Sequence, residues 1–227
     1  MSQTVSQFIF FRVKPSVRPE EASSDEGLAL TRAFNITKSQ SGHKDSAWGR
    51  VCEDTDTIAW VVEWNDARST ADLRLLDPLL ATENPRPVTS LYVTLSPPIS
   101  DTETLTKNRV TELCTLLFPG DYDVADLREL NADLNNFRTA LVEQLPPSAG
   151  PRSWSMGHVD RPSKVPHERS PDGQAFMHFL AVGWDSIHAH MKAKETDEFK
   201  KSIAPLREKM LGPIPGLELK HVSFQKI

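Results

Sequence analysis

The chain has 227 residues, with 31 acids against 26 bases and a net charge of -5. A mildly acidic balance with both signs interspersed excludes a nucleic-acid surface, which needs a basic stripe. No run approaches the roughly 18 apolar residues of a membrane span, and the length allows one large domain or two small ones.

The N-terminus, M-S-Q-T-V-S-Q-F, runs straight into a strand pattern and lacks the basic-then-apolar build of a signal peptide. Cys52 and Cys114 are expected as small core residues of predicted strands, and a reducing cytoplasmic location follows. Residues 5–13 are β-branched and aromatic, a strand ended by Pro15 and Pro19. Ser24 or Asp25 caps a helix whose stripe is Leu28, Leu30, Ala33, Phe34 and Ile36. Strands follow at 48–52 and 58–64, then a helix at 69–80 interrupted by Pro78, a loop at 84–87 and a strand at 88–95. The order is β-α-β-β-α-β.

Residues 96–108, with Pro97-Pro98 and a run of small polar residues, read as a linker without a core. A strand at 109–118 precedes the clearest helix, 124–145, with Leu127, Leu130, Leu134, Phe137, Leu141 and Leu145 at three- and four-residue steps. Residues 154–159 form a strand, and 161–174 a long polar loop. Residues 175–184 alternate as a strand buried on both faces. Asp185 or Ser186 then caps a helix carrying His188, His190 and Met191, which continues to 210 with a break at Pro205. Residues 217–224 are the last strand.

This is a second β-α-β-β-α-β. Both copies have a buried strand ending in Trp, Trp64 and Trp184, that hands over to a helix. Ala47-Trp48-Gly49 parallels Ser153-Trp154-Ser155, and 88–95 parallels 217–224. The expected fold class is α+β, two tandem ferredoxin-like modules: an N-terminal module at 1–97, a linker at 98–108 and a C-terminal module at 109–227.

The run G-W-D-S-I-H-A-H-M, followed by T-D-E-F-K-K and a last strand L-K-H-V-S-F, resembles the dimeric α/β-barrel superfamily, in particular the antibiotic-biosynthesis-monooxygenase-like proteins found in fungi. The second copy carries these motifs. The first keeps Trp64 but has Tyr92-Val93 in place of His-Val. The resemblance implies two four-stranded sheets, each with helices on one face, whose bare faces pack into a barrel. Here the two halves would do so as an intramolecular pseudo-dimer, with a homodimer as a further option. It also implies a pocket between sheet and helices, with His190-Met191 beside it.

Parity then selects residues. Trp154, Met156 and His158 share one strand face, as do Phe176, His178 and Trp184, and Leu219, His221 and Ser223. If those faces coincide, His158, His178 and His221 meet in an apolar pocket in the C-terminal half, with His178 or His158 as a general base near neutral pH. Trp154, Met156, Phe176, Trp184, His190 and Met191 would contact the substrate. The alternative is that each histidine is a hydrogen-bonded core or rim residue, His221 above all. His43 and His167 lie in polar loops and are expected to be solvated. No phosphate loop, nucleophile elbow or zinc spacing occurs, and no metal is expected.

The expected function is a tailoring enzyme of specialised metabolism, a cofactor-independent monooxygenase or a cyclase/isomerase, acting on an apolar aromatic or polyketide-like molecule. Two alternatives stand beside it. One is a non-catalytic, ligand-carrying or stress-related barrel. The other is a haem-binding or haem-degrading barrel with His190 on the iron.

Overall fold

The computed structural model describes residues 4–81 and 88–227; the loop expected at 84–87 lies outside them. Strand β1 (Val5–Arg12) is buried on both faces. Its alternation sends Phe8 and Phe10 to one core and Ile9 and Phe11 to another. Helix α1 (Asp25–Lys38) begins where Ser24 Oγ accepts the Gly27 N–H at 3.0 Å. Strands β2 (His43–Arg50) and β3 (Thr57–Trp64) follow. In place of the expected helix at 69–80 there is a 3-10 helix, Leu73–Leu79, with Pro78 inside it. Proline removes an N–H donor, which favours the tighter, shorter form.

Strand β4 (Val88–Ser96) leads into a short helix, α2 (Ile99–Thr102). The stretch expected as a coreless linker therefore contributes to the core, because Ile99 and Leu105 bury their side chains in it. Strand β5 (Val110–Pro119) and helix α3 (Val124–Thr139) come next. Asp123 and Asp126 form a reciprocal cap on α3, which runs into a π turn, Ala140–Gln144. Strands β6 (Ser153–Arg161), β7 (Val165–Pro166) and β8 (Gln174–Trp184) precede α4 (Ile187–Glu195) and α5 (Asp197–Lys209). The helical segment breaks at Thr196, whose hydroxyl accepts the Phe199 N–H. It does not break at Pro205, whose exposed position leaves the orphaned carbonyl to water. The last strand is two short pieces, β9 (Lys220–Val222) and β10 (Gln225–Lys226).

All these strands lie in one antiparallel sheet, in the order β10-β2-β3-β1-β4-β6-β8-β5-β9, with β7 on β8. Two separate sheets packed face to face were expected. Instead β4 and β6 pair edge to edge, Val93 opposite Val159 and Leu95 opposite Gly157. The sheet curls so far that its ends meet. The neighbours β9 and β10 pair with β5 and β2 respectively, and Val51 bridges to Val222. Curling satisfies edge N–H and C=O groups that an open sheet would leave bare.

Three cores result. The inward faces of both halves fill the middle, where Phe8 meets Phe179 at 4.3 Å between ring centroids. The outward face of β1–β3 packs under α1 and the 3-10 helix. The outward face of β5, β6 and β8 packs under α3, α4 and α5. The β4–β6 seam depends on Gly157, where an added Cβ would lie 1.8 Å from the Thr94 carbonyl oxygen. Gly157→Ala should therefore destabilise the fold by about 1–3 kcal/mol, the usual cost of overpacking. Urea denaturation checks this; an unchanged midpoint would show that the seam is loose.

Candidate functional site

Strand β5 reads V-T-E-L-C-T-L-L-F-P. Its inward residues Leu113 and Leu117 join the central core, so Glu112, Cys114 and Leu116 face the helices. There they border a cavity of about 140 Å³, walled by Phe137, Trp154, Leu180 and Trp184, with His190, Lys194 and Arg207 contributed by α4 and α5.

Glu112 is a carboxylate buried among apolar groups. Trp184 Nε1–H donates to its Oε2 at 2.9 Å, and His190 Nε2 stands 3.4 Å from the same oxygen. Burial pushes its pKa up to about 7, against the Trp184 hydrogen bond and the Lys194 charge, which pull it down. His190 stacks on Trp184 at 4.9 Å. Burial, then the neighbouring His221 and Lys194, lower its pKa to about 3, so its ring is neutral. Burial raises the Cys114 thiol, which stays protonated and is no nucleophile at neutral pH.

The polar contacts continue outward. His190 Nδ1 is 2.8 Å from His221 Nε2. His221 Nδ1 bonds Glu53 Oε1, and its backbone N–H donates to Glu53 Oε2 at 2.9 Å. Burial raises the Glu53 pKa, but the two His221 bonds outweigh it and the net shift is downward. Hydrogen bonds therefore join the half-exposed Glu53 carboxylate, His221 and His190 in sequence, and His190 Nε2 stands 3.4 Å from Glu112 at the cavity end.

The sequence-selected residues divide. Trp154 and Trp184 line the cavity, and His190 and His221 stand in the hydrogen-bonded chain. His158 and His178 face each other across β6 and β8, with ring centroids 5.0 Å apart. They do not meet His221. In the strand register His178 is opposite Leu116 and His221 opposite Glu112, four residues apart on β5, or about 13 Å at the strand rise. His158 is exposed; His178 is buried with both ring nitrogens unpaired. Phe176 packs on Phe118 and Tyr122, and Met156 packs against the core outside the cavity. Met191 is 47% exposed, since the helical turn that buries His190 points its neighbour to solvent. His167, expected in solvent, is buried and bonds the Gly212 carbonyl at 2.9 Å. Cys52 is exposed in the bend after β2, not a core residue. Glu112 was missed. The signal available was its place as the one carboxylate in an otherwise uncharged strand run.

The N-terminal half carries a neutral version of the same arrangement. Gln7 pairs with Val62 and Tyr92 as Glu112 pairs with Val182 and His221. Trp64 Nε1–H donates to Gln7 Oε1 at 3.1 Å. The Ala71 N–H donates to the same oxygen at 3.0 Å, and Gln7 Nε2 donates to Ser90 Oγ at 3.1 Å. The amide is thus satisfied by its surroundings, and it cannot take up or release a proton.

A haem does not fit the C-terminal site. Both ring nitrogens of His190 face protein partners, His221 and Glu112. The cavity is also smaller than the ~300–1,000 Å³ of pockets that take even drug-sized ligands. Among the described residues no group of three or more His, Cys, Asp or Glu is placed to hold a metal ion, and no helix is long and apolar enough to cross a membrane.

No family model and no curated protein matches this sequence. Solved structures do. A provisionally named chlorite dismutase aligns with a TM-score of 0.61 at 9% identity, over 98% of this chain and 95% of that one. An anthrone oxidase-like protein aligns at 0.57 and 11% identity, over 100% and 92%. A provisionally named monooxygenase from Fusobacterium nucleatum aligns at 0.54 and 12%, over 99% and 93%. At these identities the likeness is one of architecture, and what this chain shares with all three is the fold, an antiparallel sheet curled on itself with helices on its outer side.

Proposed function

We propose that this chain is a small-molecule enzyme of the cofactor-independent monooxygenase type, acting on an aromatic substrate in the cavity beneath α3–α5. The observation that carries the reading is Glu112, a carboxylate with its pKa near 7 in a Trp-lined apolar cavity. Such a group is half ionised at neutral pH and is a stronger base than a solvated carboxylate. It takes a proton from an enolisable or phenolic substrate, and His190, His221 and Glu53 carry the charge change outward. The substrate anion then reacts with O2. A CH2 becomes C=O, one oxygen atom enters the product, and the other leaves as water with the two hydrogens. The names of two structural neighbours, a monooxygenase and an anthrone oxidase-like protein, accord with this.

In this reading residues 1–97 and 109–227 are tandem ferredoxin-like modules closed as an intramolecular pseudo-dimer. The matching strand orders β2-β3-β1-β4 and β6-β8-β5-β9, and the Gln7–Trp64 and Glu112–Trp184 pairs, support it. The N-terminal copy is the scaffold, and a role in specialised metabolism goes with the substrate type. The base moves from His158 and His178, as parity suggested, to Glu112.

The test is oxygen uptake and product mass on a panel of enolisable ketones and phenols, with no added cofactor. kcat/KM should rise tenfold per pH unit below about 7 and level above it, because the base works ionised. A profile flat from about pH 5.5 to 8.5 would remove Glu112 from the chemistry. Turnover without oxygen uptake would make the enzyme an isomerase.

A further inference from the structure

The cavity's size and the charge at its edge define a substrate class, on the reading that Glu112 acts there. A volume of about 140 Å³ is close to the ~150 Å³ of an engineered apolar cavity that holds one benzene. One ring fits and a fused polyketide skeleton does not. Charge at the edge of the cavity then asks for an anionic group on the ligand.

Lys194 on α4 and Arg207 on α5 border the same cavity, and among the described residues neither forms an ion pair. Lys209, also on α5, is instead held by Glu129 and Asp133. The Lys194 charge is close enough to act on Glu112, Cys114 and His190. The cavity is therefore apolar inside, with Glu112 on its sheet side and, at its helix side, two cations that form no ion pair among the described residues.

We infer that the ligand is a single-ring aromatic acid bearing a hydroxyl or carbonyl oxygen. Its ring lies against Trp154, Leu180 and Trp184, its oxygen-bearing carbon faces Glu112, and its carboxylate meets Lys194 and Arg207. The carboxylate fixes which ring carbon or hydroxyl faces Glu112, so the two cations set regiochemistry as well as affinity.

Equilibrium binding tests this without turnover. The probes are 4-hydroxybenzoate and its methyl ester, followed by quenching of Trp fluorescence and by calorimetry. The acid should bind at least about tenfold more tightly than the ester, the scale of a charge-assisted contact. Lys194→Gln and Arg207→Gln should each remove most of that preference and leave ester binding unchanged. Both side chains reach solvent, so neither variant is expected to unfold the protein. Equal affinity for acid and ester, an unchanged preference in both variants, or no binding of either probe at millimolar concentration would overturn the assignment. Glu112→Gln should still bind the acid. If wild type binds it as described yet turns over no such acid, the catalytic reading falls while the ligand class stands.

Discussion

Glu112→Gln should lower kcat/KM by about 10²–10⁴, the range in which a positioned general base contributes, while leaving the fold at least as stable. The amide is nearly the same size, and its carbonyl oxygen can still accept the Trp184 N–H. What it cannot do is take a proton. The stability side has a definite sign. The folded pKa is near 7 against 4.5 for a solvated glutamate, so folding favours the protonated form. That contribution is full below pH 4.5 and is lost as pH rises through 7. At pH 8 the wild type therefore carries the cost of an ionised buried carboxylate, on the order of 3 kcal/mol, and the amide does not. Lost activity with raised stability at alkaline pH is what a strained functional group produces. A variant that lost stability and activity together would show Glu112 to be structural. One that kept full activity would end the mechanism.

The second large effect concerns His178. It is buried with both nitrogens unpaired, and burial together with the charge on His158 holds its pKa down at about 3. Because the folded pKa lies below the 6.5 of a solvated histidine, its contribution is present above pH 6.5 and is lost as pH falls toward 3. The loss is about 1.4 kcal/mol per pH unit. His190 has the same sign over the same window. Glu112 has the opposite sign between 7 and 4.5, so it cancels one histidine there. His43, only half buried, adds a smaller loss. His178→Phe should thus be more stable than wild type by about 1–3 kcal/mol at pH 7.5, since two orphaned polar atoms are removed. Its stability should also be nearly level from pH 6.5 to 4.5, where the wild type declines. Chemical denaturation at a series of pH values measures both. A variant with the same acid slope as wild type would mean that water or a ligand already satisfies the ring.

These two residues also show how far the one-dimensional pattern reaches. Parity placed Trp154, His178 and Trp184 on the helix-facing side of their strands, and they lie on that side, because alternation along a strand is a property of the backbone. Parity could not say which of those residues stand level with one another. His158 and His178 are level across β6 and β8; His221 is level with Glu112 instead. Register along each strand comes from pairing partners far away in the chain, and a shift of a few residues divides one expected cluster into two.

What local chemistry alone determines here is extensive. Period-two and period-four apolar patterns, Ser24 and Ser186 among the candidate helix caps, and the two Trp-terminated strands were legible residue by residue. They place most of the elements, and the side of the chain on which a cavity lies. Tertiary structure decided the rest. It closed one sheet through β4–β6 and β9–β10, packed the supposed linker into the core, and brought Glu53 from the first half onto His221 in the second. It also gave Glu112 its altered acidity. A carboxylate's pKa depends on the water it loses and the groups it gains on folding, and neither is written in the residues beside it in the chain.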